Sequence, residues 1–367
     1  MSNIMELNIG PQHPSTHGVL RMKAELNGEN ILNITPIIGY LHRGMEKMAE
    51  NRNYLQYLSV VDRIDYLSGF FCSYAYLNAI EKLSNIDIPK KAQYIRVLTM
   101  EMNRISSHLL WLGCYLMDLG ATSPLFYTFI EREKILNILE DLTGSRMMYN
   151  YYTFGGVKKD INTTLLDRIK DFSDNFEKAV DEYETIITKN PIFLSRTKNI
   201  GIIEKEKAIE YSITGANLRA SGINKDLRKD SPYLVYEELN FNIPTSNNSD
   251  SHARYLVRVE EMRESNKIIK QCLNWLYSNL NDKNFKTKIN PLTLKPTGFY
   301  ISEVEAPRGL MQCIIHTTGK ENPDRIKWRT PSFYAVQILP ELAKNHKLQD
   351  LMAIFGSLDI IMPEVDR

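Results

Sequence analysis

Between Pro89 and Gly120 the chain carries a pattern that dictates its local structure. Ile95, Leu98, Met102, Ile105, Leu109, Leu112, Leu116 and Leu119 recur at alternating spacings of three and four, the apolar stripe of a long helix buried along one side. The same segment holds a second stripe: Glu101, Arg104, His108, Trp111, Tyr115 and Asp118. So many ionisable groups beside a fully apolar stripe are expected to face solvent. The alternative is a polar, partly buried surface between subunits or along a proton path. Gly120 closes the helix just past Asp118. An acid at that end opposes the helix macrodipole, so its placement favours a functional role over a structural one.

Further helices are expected at Tyr40–Val61, Asp65–Leu83, Pro124–Thr143, Asn162–Lys189 and Asp250–Leu280. Ser249 or Asp250 is the expected cap of the last of these. Before them, Val19–Leu26 and Ile31–Ile38 alternate apolar and polar residues around an Asn27-Gly28 turn, which reads as a small antiparallel sheet. After Asn281 short strands are expected at Gly298–Glu305 and Leu310–Thr318, then a helical region from Phe333 to Phe355. The predicted fold is α+β: an N-terminal antiparallel sheet over 1–40, a helical bundle core over 41–297, and C-terminal strands, helix and tail over 298–367. The apolar run Leu358–Met362 argues that the tail is buried, not frayed.

Composition narrows the function. The 367 residues have 43% hydrophobic and 24% charged content, as globular chains do. A net charge of +1 gives no bulk attraction for nucleic acid. Met1–Gly10 lacks the basic head and apolar core of a signal peptide, and no segment approaches the roughly 18 apolar residues that span a bilayer. Cys72, Cys114, Cys272 and Cys313 are dispersed singly, so a thiolate-ligated metal is not expected. No Gly-rich dinucleotide fingerprint is present.

Near the start, Gly10-Pro-Gln-His-Pro-Ser-Thr-His-Gly18 reads as a rigid loop, because its prolines fix φ and its glycines free it. His13 and His17 either cap neighbouring backbone groups there or serve as proton donors. The loop is followed by a series of blocks: GYLHRGMEK (Gly39–Lys47), DRIDY ending at Tyr66, RISSHLLWLG ending at Gly113, and FYTFIERE (Phe126–Glu133). Then come GGVKKD ending at Asp160, GANLRASG ending at Gly222, DLRK ending at Lys229, and the terminal SLDIIMPEVDR. Together, in this order and over nearly the whole chain, they resemble the D-type component of complex I, the proton-pumping NADH:quinone oxidoreductase. That family is distantly related to the large subunit of nickel–iron hydrogenases.

The resemblance implies a hydrogenase-like scaffold without its metal site. Hydrogenases hold nickel and iron with two Cys-x-x-Cys pairs, and the corresponding places here read Arg63–Leu67 and Leu358–Arg367, with no cysteine. It implies that quinone, the substrate, is held between His17 and Tyr66. An imidazole and a phenol can each protonate one oxygen of the reduced ring. Asp118 matches the acid that hydrogen-bonds this histidine. Arg43, and less strongly Arg63, match positions beside a neighbouring subunit's iron–sulfur cluster, which this chain contacts without ligating. Asp359, Ile361 and Arg367 match the tail that helps form the quinone cavity. The implied partners are the iron–sulfur (B-type) and C-type subunits and, through the H-type subunit, the membrane arm. The implied location is peripheral, on the cytoplasmic face of the cell membrane or its organellar equivalent.

Two departures bear on subtype. Arg146-Met-Met-Tyr149 puts Met148 where many relatives have a histidine near the cluster, and a helical segment common before the terminal strands is missing between Asn281 and Gly298. Electron donor and quinone type are therefore left open. The alternative function is a non-catalytic scaffold subunit of a related membrane-bound complex. The presence of His17, Tyr66 and Asp118 speaks against it, since a scaffold needs none of them.

Overall fold

The computed structural model describes residues 4–13 and 18–367. The chain is a mixed α+β protein. It opens with strands β1 (Ile4–Ile9), β2 (Gln12–His13), β3 (Gly18–Val19), β4 (Arg21–Asn27) and β5 (Asn30–Ile37). Helices α1 (Met45–Glu50), α2 (Tyr54–Val61), α3 (Gly69–Leu83), α4 (Lys90–Asp118) and α5 (Ser123–Thr143) follow. Two-residue strands β6 (Tyr152–Thr153) and β7 (Gly156–Val157) lead to α6 (Thr163–Tyr183), α7 (Pro191–Thr197), α8 (Lys205–Glu210), α9 (Gly215–Arg219), α10 (Leu227–Asp230) and α11 (Ser251–Ser278). The chain ends with β8 (Thr297–Ala306), β9 (Gly309–Thr318), β10 (Arg325–Arg329), α12 (Pro331–Ala343), α13 (Leu348–Leu358) and α14 (Met362–Asp366).

The N-terminal sheet is antiparallel in the order β1-β4-β5. Along β4 the residues alternate, so Met22, Ala24 and Leu26 point inward, the period of a strand with one buried face. They pack with Ile31 and Ile34 of β5 against Ile338, Leu339 and Phe355 of α12 and α13. The second antiparallel sheet, β10-β9-β8, closes over α3. Its Met311, Ile315 and Trp328 join the main core with Tyr57, Phe71, Leu98, Met102 and Ile269. Asp250 caps α11, accepting from the Ala253 N–H at 2.7 Å.

Three local expectations are corrected. The single helix expected over Tyr40–Val61 is two, because Asn53 starts a new one. Its side chain accepts from the Gln56 N–H at 2.8 Å while the Gln56 side chain reaches back to the Asn53 N–H at 3.1 Å, a reciprocal cap. The helix expected from Asp65 starts only at Gly69, since the Asp65 carboxylate bonds the Leu67 N–H at 3.0 Å and the Ser68 hydroxyl and so stabilises a turn.

The third correction concerns the polar stripe of α4, which does not face solvent. Glu101, Arg104, His108, Trp111 and Tyr115 are all buried. α4 runs through the middle of the bundle, against α5, α11 and α13, and its charged residues meet charges on other elements. Glu101 accepts from Arg104, Arg228, Tyr236 and Ser265. Glu261 of α11 receives Arg104, Arg219, Arg228 and His108. Arg219 also reaches Glu305 at 2.7 Å, and Arg228 reaches Asp226 at 2.7 Å. Despite burial, Arg104 and Arg228 hold Glu101 below the ordinary carboxylate range, and Arg219 holds Glu261 well below it.

Candidate functional site

The pentapeptide Asp62–Tyr66 divides its side chains by task. Asp62 is buried and accepts from the Ser73 hydroxyl and, at 3.0 Å, from the Asn150 N–H; burial raises its pKa to about 6. Ile64 is fully buried in the core. Arg63 points outward, and its carbonyl accepts Arg43 Nη1 at 2.8 Å. Asp65 is buried and takes Arg308 Nη1 at 2.6 Å. That leaves Tyr66 on an anchored turn, partly buried, with its hydroxyl making no hydrogen bond among the described residues. Burial and the charge of Asp65 push the phenol pKa up, while Arg308 pulls it down.

Two other segments come close to this turn, and a third rests on one of them. The first is the end of α4, where Cys114 and Asp118 lie partly buried. Burial and then Asp118 raise the Cys114 thiol to about 11, and the charges of Asp359 and Arg132 also reach it. Gly356 of α13 packs on this end so closely that a Cβ there would lie 2.8 Å from the Tyr115 ring and 3.5 Å from Asp118 Oδ2. The Trp111 indole donates to the Gly356 carbonyl at 2.7 Å.

The second segment is the tail. Leu358, Asp359, Ile360, Ile361 and Met362 are all buried. Asp359 leaves α13 with a left-handed φ of 57°. One of its oxygens lies 3.5 Å from Arg308 Nε and the other 3.9 Å from Arg258 Nε. The Ile361 N–H donates to Ser332 Oγ at 3.2 Å. Asp366 accepts from the Gly39 and Leu41 N–H groups, each at 2.8 Å. Arg367 reaches back to the Trp328 carbonyl at 2.5 Å and stacks its guanidinium over Phe333. Arg43 links both segments, giving Nη1 to Arg63 and Nη2 to the Pro363 carbonyl at 3.0 Å. Burial and Arg63 hold its pKa below the ordinary arginine value.

The third segment is the base of the histidine loop. β2 and β3 pair Gln12 with Val19 and His13 with Gly18. Gly18 adopts φ 137°, and a Cβ there would lie 3.0 Å from Met362 Cβ, so the residue that follows His17 rests on the tail. His17 itself lies outside the described residues.

The structure therefore brings Tyr66, Asp359 and the Cys114–Asp118 end of α4 to one place. Arg43 and Arg63 stand together at its edge, while Ile361 and Arg367 fix the tail that walls it. Met148, in a left-handed turn at φ 57°, precedes Asn150, whose N–H holds Asp62. Sequence reasoning missed Asp65, Arg308 and Glu364. Glu364 is buried; its Oε1 accepts the Ser332 N–H at 2.7 Å, its Oε2 has no hydrogen-bond partner among the described residues, and the Asp65 carboxylate is near enough to act on it. Burial and Asp65 raise its pKa to about 8. Asp65 and Glu364 sat inside quoted motifs; Arg308 sits in an Ala306-Pro-Arg-Gly309 turn that resembles an exposed hairpin tip.

Among the described residues no group of three or more His, Cys, Asp or Glu is placed to hold a metal. The four cysteines are free thiols.

An α+β chain that sets a partly buried phenol on an anchored turn, close to its own buried C-terminal segment, defines a class of protein with a polar site assembled from segments distant in sequence. The chain belongs to the family described as respiratory-chain NADH dehydrogenase, 49 kDa subunit, whose match covers residues 118–367. It is 48% identical over 387 aligned positions to the chloroplastic H-type component of the NAD(P)H-quinone oxidoreductase of Zea mays, covering 100% of this chain and 98% of that one. It is 47% identical to the chloroplastic H-type component of the same enzyme in Mesostigma viride, over 99% and 98% of the two chains. To the D-type component of the NADH-quinone oxidoreductase of Geobacillus thermodenitrificans it is 45% identical, again over 99% and 98%.

Proposed function

We propose that this chain is the quinone-site subunit of a complex I type NADH-quinone oxidoreductase and that Tyr66 and His17 protonate the reduced quinone. The observation that carries the reading is the partly buried Tyr66 phenol, unengaged among the described residues and surrounded by Asp65, Arg308, Cys114 and Asp359. Two-electron reduction of a quinone leaves two oxygens, each requiring a proton. Tyr66 supplies one and His17 the other, each donor being neutral or cationic before transfer and recharged afterwards from the solvent side. Asp118, at the end of α4, orients His17 and favours its protonated form. Asp359 and Ile361 wall the headgroup cavity, and Arg367 locks that wall in place.

A neighbouring B-type subunit's iron–sulfur cluster supplies the electrons. Arg43 and Arg63 face it from this chain and favour its reduced form electrostatically without ligating it. The C-type subunit and, through the H-type subunit (a different protein from the chloroplastic relatives that carry the letter H), the membrane arm are the other partners, with this chain peripheral on the cytoplasmic or equivalent organellar face. Support for a peripheral position is that no helix among the described residues is long and apolar enough to cross a membrane. A scaffold shared with hydrogenase large subunits is supported by the meeting of 63–67 with 358–367 through Arg308. Whole-length identity to both chloroplastic and bacterial relatives, each named as part of a quinone oxidoreductase, supports quinone as the substrate.

The test uses membranes in which Tyr66→Phe replaces the native chain. Quinone reduction is compared with reduction of an artificial acceptor that takes electrons upstream of the quinone site. Loss of the first with retention of the second is expected; retention of both would reduce the chain to a scaffold.

A further inference from the structure

A hairpin tip is usually the most exposed part of its sheet, yet the tip of β8–β9 runs into the interior. Gly309 and Gly215 stand backbone to backbone: a Cβ on Gly215 would lie 2.4 Å from Gly309 Cα, and one on Gly309 would lie 2.6 Å from Thr214 Oγ1. Both carry positive φ, 130° at Gly309 and 68° at Gly215, so neither position tolerates a side chain. Thr214 Oγ1 also accepts the Leu310 N–H at 3.1 Å. The tip is fixed against the start of α9, and Arg308 is left only 2% exposed.

From there its guanidinium meets three segments. Nη1 donates to Asp65 at 2.6 Å, one residue before Tyr66. Nη2 donates to Ser107 Oγ of α4 at 3.1 Å. Nε lies 3.5 Å from Asp359, the first residue of the tail. Glu364 of α14 also feels its charge. A planar fork with donors in several fixed directions suits such a junction, and a cation there offsets the cost of burying two carboxylates.

We propose that Arg308 is a positioning residue for quinone reduction: it ties the Tyr66 turn to the C-terminal tail and holds the phenol where the headgroup arrives. This rests on the reading that Tyr66 meets the headgroup. A residue that only neutralised buried carboxylates would, when replaced, lower every activity of the complex together. A positioning residue alters the geometry at the reacting end alone, where small misplacements cost much of the rate.

The experiment uses membranes holding the assembled complex with Arg308→Gln, Arg308→Lys or Tyr66→Phe. Arg308→Gln is expected to lower kcat for quinone about tenfold, with artificial-acceptor reduction retained. Arg308→Lys, whose ammonium can stand between Asp65 and Asp359, is expected to restore at least about half of the wild-type kcat. Wild-type kcat and KM in Arg308→Gln overturn the proposal, and so does an assembled Arg308→Lys no better than Arg308→Gln. If Arg308→Gln fails to accumulate, the Asp65→Asn/Arg308→Gln pair removes both buried charges at once. A persisting loss of quinone turnover with the artificial acceptor retained then supports the tie, and wild-type turnover overturns it. Full quinone turnover in Tyr66→Phe would overturn the headgroup reading itself; loss in Tyr66→Phe without loss in Arg308→Gln would overturn only the positioning role.

Discussion

Helix α4 passes through two charge-dense regions that differ in how completely their carboxylate oxygens are hydrogen-bonded. In the first, Arg104, Arg219 and Arg228 face Glu101, Asp226, Glu261 and Glu305, all buried. Every carboxylate oxygen there accepts a hydrogen bond from an arginine, histidine, hydroxyl or backbone donor. In the second, around Tyr66, Asp359 Oδ2 and Glu364 Oε2 receive none from such donors, and the phenol is partly open. The hairpin tip joins the two, sending Glu305 to the matched network and Arg308 to the unmatched one. A network whose carboxylate oxygens are all engaged offers a ligand no free acceptor and acts as a structural tie; its unpartnered atoms among the described residues are the nitrogens Arg219 Nε and His108 Nδ1. Unmatched polar atoms beside an accessible donor are the mark of a reacting site.

The largest expected effect separates the regions by activity. Tyr66→Phe should lower quinone turnover by about 10²-fold or more while the folded subunit and upstream electron flow persist. The sealed network should answer in the opposite way. Arg228→Met leaves Glu101 and Asp226 short of a buried partner, which costs about 3–5 kcal/mol. Chemical denaturation of the subunit should show that loss, and in membranes the quinone and artificial-acceptor rates should fall together. A selective loss of quinone turnover in Arg228→Met would break the distinction.

Asp118→Asn should slow quinone turnover about tenfold. Its partner imidazole loses the carboxylate that favours the protonated form, so the alkaline limb of the pH–rate profile should move to lower pH; an unmoved limb would count against the pairing.

Glu364 sharpens the comparison through stability. Its folded pKa, about 8, stands above the ordinary 4.5, so the folded state holds a proton that the unfolded chain releases between those values. Its contribution is fully present below the unfolded value and is lost as pH rises through the folded one. Glu364→Gln should therefore flatten the fall of the subunit's Tm from about pH 5 to 8, with a gain of several degrees at the upper end; an identical slope in both proteins would contradict this.

The smallest effect belongs to the surface. Arg146 pairs with Glu133 and Glu140 in the open, where ion pairs contribute little, and Arg146→Ala should leave Tm and turnover unchanged.

Much of this was readable from local pattern. The Asn27-Gly28 hairpin, the long α4, the Asp250 cap and the buried run Leu358–Met362 each follow from residues close together in sequence. What escaped depends on distant partners. The charged stripe of α4 looked solvent-facing because its counter-charges sit on α9, α10 and α11 and on the β8–β9 tip, which periodicity within α4 cannot reveal. Arg308 escaped for the same reason, since a Pro-Arg-Gly turn signals a bend and carries no sign of what lies beneath it. Tyr66 is one of 20 tyrosines, and only the ordered set of motifs singled it out. The structure adds why that position suits a donor: Asp62, Ile64 and Asp65 are all spent on anchoring the turn.

The most direct test of the two-region account is to map where a quinone binds. A photoreactive quinone analogue is added to membranes holding the assembled complex, illuminated, and its adducts on this chain are located by peptide mass. The account predicts adducts on the Tyr66 turn, the Cys114–Asp118 end of α4 or the Asp359–Arg367 tail, suppressed by excess native quinone. Competable adducts confined to other surfaces, with none on those three segments, would contradict it.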